Sequence, residues 1–276
     1  MNSVKRWNNM VSDEHDQTER LRDPSPPILD HWQGLADNFR SDPARVGDPL
    51  VDGLLARLRS NHVVIDVGAG AGRLTFPMAL RCTCVIAVEP SGSMSSALLD
   101  EANRYGINNV KLIQTHWETT EVDAADVVLC AHVVYTCGDI ESFVRKLDAN
   151  ATSEVWVVLF DLPPQHNSYP LWGPVHGEER LWLPALSEFE EVLRELKIQY
   201  DVQVLESQHP GSFDNHTDAW NQLRRRLFLS QGSEKDNKLG RVLTNILSEK
   251  SGKLHLPDAI PLKSVLVSWK PNGVLI

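Results

Sequence analysis

The chain has 276 residues, 42% of them hydrophobic, enough for a substantial core and for one large domain or two small ones. Its formal net charge of −10 argues against a nucleic-acid partner, because such binding rests mainly on phosphate neutralisation by Lys and Arg. The apolar runs fall far short of a membrane span, and no apolar stretch follows Lys5 and Arg6, so neither a membrane helix nor a signal peptide is expected.

Residues 1–27 are polar and charged and end in DPSPP, which predicts a flexible arm. Residues 28–60 place apolar side chains at helical spacing: Ile28, Trp32, Leu35 and Phe39, then Leu50, Leu54, Leu55 and Leu58. Two helices are expected there, broken at Asp42-Pro43 and at Gly47-Asp48-Pro49. From 61 to 160 strands and helices alternate: strand 62–67, helix 72–81, strand 84–88, helix 93–104, strands 110–115 and 126–131, helix 139–148, strand 154–160. Such alternation predicts a parallel sheet with helices on both faces and ligands at the carboxyl ends of its strands.

Residues 161–185 are irregular, with five prolines, two tryptophans, a tyrosine and two histidines. Two readings stand for them: a functional lid or binding loop, or a packed loop whose aromatics seal the sheet edge. A helix at 187–196, a strand at 198–205, helices at 213–229 and 234–250, and a last strand near 262–270 complete the pattern. The two helices fall inside a segment, 209–255, that interrupts the last pair of strands; with the N-terminal helices they would roof a ligand as a lid. Arg224, Arg225 and Arg226 point in different directions on a helix and read as a solvated face. Cys82, Cys84, Cys130 and Cys137 sit in or near core elements and lack zinc spacing. They read as reduced thiols of a cytoplasmic protein, with no metal.

The most informative segment is VVIDVGAGAGR at 63–73. An apolar strand ends at Asp66 and Val67, three glycines follow at 68, 70 and 72, and a helix begins near Arg73. Glycines let a ligand lie against the backbone, and the helix start offers free N–H groups. A dinucleotide fingerprint would need a third glycine at position 73, where Arg73 stands. Glu89 closes the second strand and can accept two hydrogen bonds from ribose hydroxyls.

Residues 63–73, 84–90 and 126–135 together resemble a class I S-adenosylmethionine-dependent methyltransferase over roughly 50–160. The resemblance implies a seven-stranded, mostly parallel Rossmann-like sheet flanked by helices, with S-adenosylmethionine as cofactor and S-adenosylhomocysteine as product. It implies that Asp66 holds the glycine loop and the methionine amino group. Gly68, Ala69 and Gly70 would lie beside the ligand with Arg73 at the loop's end. Glu89 would bind the ribose, and Pro90 and Met94 would border the adenine. Where the family often has an acid after its third strand, this chain has His116, so the adenine contact falls to the Trp117 backbone or to Glu118. Cys130, Ala131 and His132, at the tip of the fourth strand, would touch the methionine part and face the transferred methyl.

Displacement at a sulfonium needs alignment, exclusion of water and, for some acceptors, a base. His132 is the leading candidate by position, with Tyr135, His166, His176 and Glu178 as further ones. Asp161-Leu-Pro-Pro is similar to the D-P-P-Y type motif of amino-methylating enzymes. It follows the fifth strand rather than the fourth and carries an extra Leu, so it reads as a loop start. The expected activity is methyl transfer to an oxygen or nitrogen of a small molecule. Alternatives are a non-catalytic S-adenosylmethionine-binding module, a nicotinamide-dependent oxidoreductase, and a protein or RNA methyltransferase.

Overall fold

A computed structural model describes residues 2–24, 30, 32–34, 36–208 and 210–271. Five strands form in chain order as the parallel half of one sheet: β1 (Val63–Val67), β2 (Cys84–Val88), β3 (Val110–Ile113), β4 (Ala125–Ala131) and β5 (Ala151–Phe160). β6 (Asp201–Gln208) and β9 (Leu262–Trp269) complete it, in the order β3-β2-β1-β4-β5-β9-β6, with β9 antiparallel to both neighbours. A separate hairpin pairs β7 (Ser248–Lys250) with β8 (Lys253–His255).

The strands read as nearly continuous apolar runs because both faces are covered. Alternate residues feed two cores. Ile65, Val128, Val157 and Val267 face α1 (Ser3–Leu21), α5 (Ile140–Asn150) and α7 (Leu186–Glu195). Val64, Val85, Leu129 and Val158 face α2 (Pro49–Leu55), α3 (Thr75–Ala79) and α4 (Gly92–Tyr105). Local signals set the helix ends. Ser91 caps α4 by accepting from the Met94 N–H, and Gly106 ends it in the left-handed region at φ 65°.

A third core is built by α6 (Trp172–His176), α8 (His216–Arg226) and α9 (Glu234–Ile246) around Trp172, Leu223, Leu239 and Leu243. The β7–β8 hairpin closes it through Leu254. That hairpin takes the place of the last turn of the helix expected at 234–250, since α9 stops at Ile246.

The arm expected at 1–27 is a helix through most of its length. Trp7 of α1 is wholly buried, and its indole N–H donates to the Cys137 carbonyl at 3.0 Å. Arg6 pairs with Glu188 and Glu191 of α7, so polar residues dock this helix alongside the few apolar ones. Of the two helices expected within 28–60, the first is a single 3-10 turn, Ala36–Phe39, and the second is α2. Ile28 and Leu35, expected on the first, lie outside the described residues. The irregular stretch 161–185 holds a 3-10 segment, His166–Leu171, and α6.

Candidate active site

β1 and β4 are neighbours, but the chain leaves β1 towards β2 on the other side. The crevice for a ligand opens at such a reversal, beyond the carboxyl ends of the strands. Here the loop after β1 and the turn after β4 meet. Gly68 has φ 72°, and a Cβ on it would collide with the Val133 side chain. The glycine therefore serves two needs at once, a left-handed backbone and close approach of the β4 turn. The Gly68 and Ala69 N–H groups both donate to the Val88 carbonyl, which ties the loop to β2.

Two carboxylates sit under this loop. Asp66 is buried and accepts from the Thr75 hydroxyl at 2.6 Å. Burial pushes its pKa up to about 6, against the Thr75 hydrogen bond and helped by the nearby Glu89. Glu89 accepts from Gly70 N–H at 2.9 Å through Oε2 and from Ser91 N–H at 2.8 Å through Oε1. Burial raises its pKa while these two backbone donors oppose the rise. Each Glu89 oxygen keeps a lone pair, so a vicinal diol can still be held there.

Loop and strand tips line a cleft of about 600 Å³. Asp66, Gly68, Ala69, Gly70, Arg73, Glu89, Pro90 and Met94 all border it, as do His116, Trp117, Glu118 and Ala131. The 117–120 turn is locked by Lys146, whose ammonium donates to the Glu118 and Thr120 carbonyls and lies 5.0 Å from the Trp117 ring centre. Arg73 leans towards Asp48, at 3.6 Å, and contributes positive charge to the cleft.

His132 and Tyr135 border the cleft at the tip of β4. His132 adopts φ 58°, uncommon for a residue with a Cβ. Its N–H donates to the Val158 carbonyl at 2.8 Å, and its ring packs 4.3 Å from Phe160. Burial, with Arg73 nearby, pushes its pKa down to about 4.

Other expected residues lie elsewhere. Cys130 is wholly buried in the core that faces α1, α5 and α7 and does not border the cleft. His176 is in α6, stacked 4.3 Å from Trp172, with Nε2 3.0 Å from the Leu227 carbonyl. It belongs to the third core because the rings it packs on are buried there. His166 packs edge-on to Trp182 at 5.1 Å, and Glu178 pairs with Arg20 at 2.5 Å. No described residue of 161–185 or 209–255 borders the cleft. α8 and α9 instead bury their apolar faces against α6.

The cleft also holds residues not expected there: Trp32, Phe39, Val133, Thr136 and Phe143. Trp32 and Phe39 meet edge to face at 5.2 Å and are 36% and 39% exposed. Their segment is clamped on α4 at both ends. Asp30 accepts from the Ser93 N–H and the Ser91 hydroxyl, each at 2.9 Å. Arg40 pairs with Glu101 at 2.8 Å. Aromatic type was readable for Trp32 and Phe39, but no periodicity tells a cleft wall from a core face.

Comparison with known proteins agrees with this geometry. Residues 64–150 match the family model described as a methyltransferase domain. An uncharacterized protein of Haemophilus influenzae is 24% identical over 125 residues, 45% of this chain and 46% of that protein. The match thus spans about half the length of that curated relative. Among solved structures, a putative methyltransferase of Bacillus halodurans aligns with TM-score 0.58 at 15% identity, over 83% of this chain and all of that one (100%). The YcgJ protein of Bacillus subtilis aligns with TM-score 0.56 at 16% identity, over 81% and 98% of the two chains. The magnesium protoporphyrin IX methyltransferase of Synechocystis, solved with bound S-adenosylhomocysteine, aligns with TM-score 0.50 at 15% identity, over 75% and 94%. These structural likenesses show the fold.

Proposed function

We propose that this chain, whose residues 64–150 form a class I S-adenosylmethionine-dependent methyltransferase domain, moves a methyl group to an oxygen or nitrogen of a small molecule. The cofactor of the family is S-adenosylmethionine, whose sulfonium supplies an activated methyl group. One observation carries the reading: Asp66, the Gly68–Gly70 loop and Glu89 converge on one cleft at the β1–β4 reversal, with His132 also bordering it.

The residues fit such a ligand. Glu89 has lone pairs left for the ribose hydroxyls, and its grip on Gly70 N–H holds the loop in shape. Asp66, buried beneath the loop, would hold an ammonium group. Met94 and Pro90 give an apolar border for the adenine, beside the Trp117 turn. Arg73 would face the methionine carboxylate or an anionic acceptor. Trp32 and Phe39 would exclude water from the open side. A cleft with mixed charge on a chain of net charge −10 favours a small acceptor over nucleic acid. Four free thiols, three of them buried, support a cytoplasmic enzyme.

Calorimetric titration with S-adenosylhomocysteine tests the reading, with NADH as control. The expected dissociation constant is on the order of micromolar, weakened at least ~10-fold (about 1.4 kcal/mol) in Glu89→Ala. No binding by folded protein would remove the methyltransferase reading.

A further inference from the structure

β6 ends the sheet, and its outer row of backbone N–H and C=O groups faces no strand among the described residues. Such an edge is a template for a further strand, and proteins commonly blunt it with Lys, Pro or a bulge. The opposite edge is blunted: β3 is four residues long and carries exposed Lys111. β6 is eight residues long, and its first four, Asp201 to Val204, are all exposed with no Lys or Pro among them. Val202 and Val204 are 44% and 56% exposed. They pair with Val267 and Val265 of β9, so they share the face that α7 covers further in. Gln203 points to the other face, where its side-chain oxygen lies 3.5 Å from the Arg57 guanidinium and its amide N–H groups stay free. Asp201 has neither a hydrogen bond nor an ion pair among the described residues.

This strip complements a second copy of itself. An antiparallel β6 related by a two-fold axis normal to the sheet keeps every residue on its own face, so one residue must lie on the axis opposite its own copy. With Val204 there, Val202 would oppose Glu206 of the other copy, but the bulge after Val204 turns Glu206 to the opposite face. With Gln203 there, the Asp201 carboxylate would oppose Leu205. With Val202 there, Asp201 opposes the Gln203 amide of the other copy, which can donate to it with Arg57 close behind, and the pair occurs twice. Val204 then opposes Tyr200 of the other copy, at a hollow of about 390 Å³ lined by Arg194, Ile198, Gln199 and Tyr200. We infer that two copies of this chain pair antiparallel through residues 200–204, with Val202 on the axis, and join their sheets into one. The bulge ends the pairing on each side, and the two-fold uses up the edge, so the assembly closes at two copies. The inference is independent of the methyltransferase reading.

Sedimentation velocity on the purified chain, up to about 100 μM, reads the assembly. The expected mass is twice the 31.0 kDa of one chain, with a dissociation constant on the order of 10 μM, as suits a short edge contact. Val202→Lys sets two ammonium groups opposite each other on the axis and is expected to raise that constant at least ~10-fold. Far-UV circular dichroism checks that this variant is folded, and the exposure of the position favours it. Val202→Cys is expected to link two chains under mild oxidation, with wild type, three of whose four thiols are buried, as control. A monomer at about 100 μM overturns the inference, and so does a dimer that folded Val202→Lys leaves intact. Linking through Gln203→Cys in place of Val202→Cys overturns the register.

Discussion

Asp66 is held in a state that works against stability. A carboxyl whose pKa rises from 3.8 to about 6 on folding binds its proton more tightly in the native state than in the unfolded one. Its contribution is therefore most favourable below its unfolded pKa and is lost as pH rises through about 6. The shift corresponds to roughly 3 kcal/mol given up at pH 7. Glu89 shifts in the same direction. His132, whose pKa is depressed to about 4, acts oppositely, losing stability as pH falls from its ordinary value. The Asp66→Asn variant isolates one part of this balance. The amide keeps the shape and removes the charge. Its stability advantage over wild type, from urea unfolding without ligand, is expected to grow between pH 4 and 6 and to level off above. An advantage that does not vary with pH would mean that folding leaves the Asp66 pKa unshifted. Loss of affinity for S-adenosylhomocysteine in the same variant would identify the stability as exchanged for ligand binding.

At the scale of elements, α1 matters to the cleft from a distance. Trp7 donates to the Cys137 carbonyl directly after the 3-10 turn Val134–Thr136 that carries Tyr135. The helix thus buttresses the turn that brings Tyr135 to the cleft. Trp7→Ala removes a fully buried ring and is expected to cost about 3–5 kcal/mol in urea unfolding. Trp7→Phe keeps most of the packing and strands the carbonyl, which is expected to cost about 1–3 kcal/mol. Equal losses in both variants would show that the hydrogen bond and not the ring holds the helix. α1 escaped sequence reading because Val4, Trp7 and Val11 are few among charged residues, and charge pairs with α7 supply the rest of its anchorage. The β1–β5 half was legible because buried parallel strands are apolar on both faces and the glycine loop keeps its ligands within a short span. Asp66, Gly70 and Glu89 meet through neighbouring strands, so their spacing carried the geometry. His176 could not be placed that way. Its neighbours come from α6 and the end of α8, and only packing of the third core decides where it lies.

The molecule as a whole therefore divides its work between the sheet, which makes the cleft, and the α6–α8–α9 core, which stays off it. That core has a polar centre of its own. Asp236 is buried, and its Oδ1 accepts from the Trp220 indole at 2.6 Å and the Arg224 guanidinium at 2.7 Å. Its Oδ2 accepts from the Gly232 N–H at 2.7 Å. Asp236→Ala leaves three donors without an acceptor, one of them charged, and is expected to destabilise by roughly 3–5 kcal/mol. The same variant is expected to bind S-adenosylhomocysteine within twofold of wild type, measured below its unfolding temperature, because no described residue of this core borders the cleft. A tenfold loss of affinity in folded protein would mean that the core closes over the ligand in solution, as the helices inserted between β6 and β9 were expected to do. Unchanged affinity beside lowered stability would show that this core stabilises the fold and takes no part in holding the ligand.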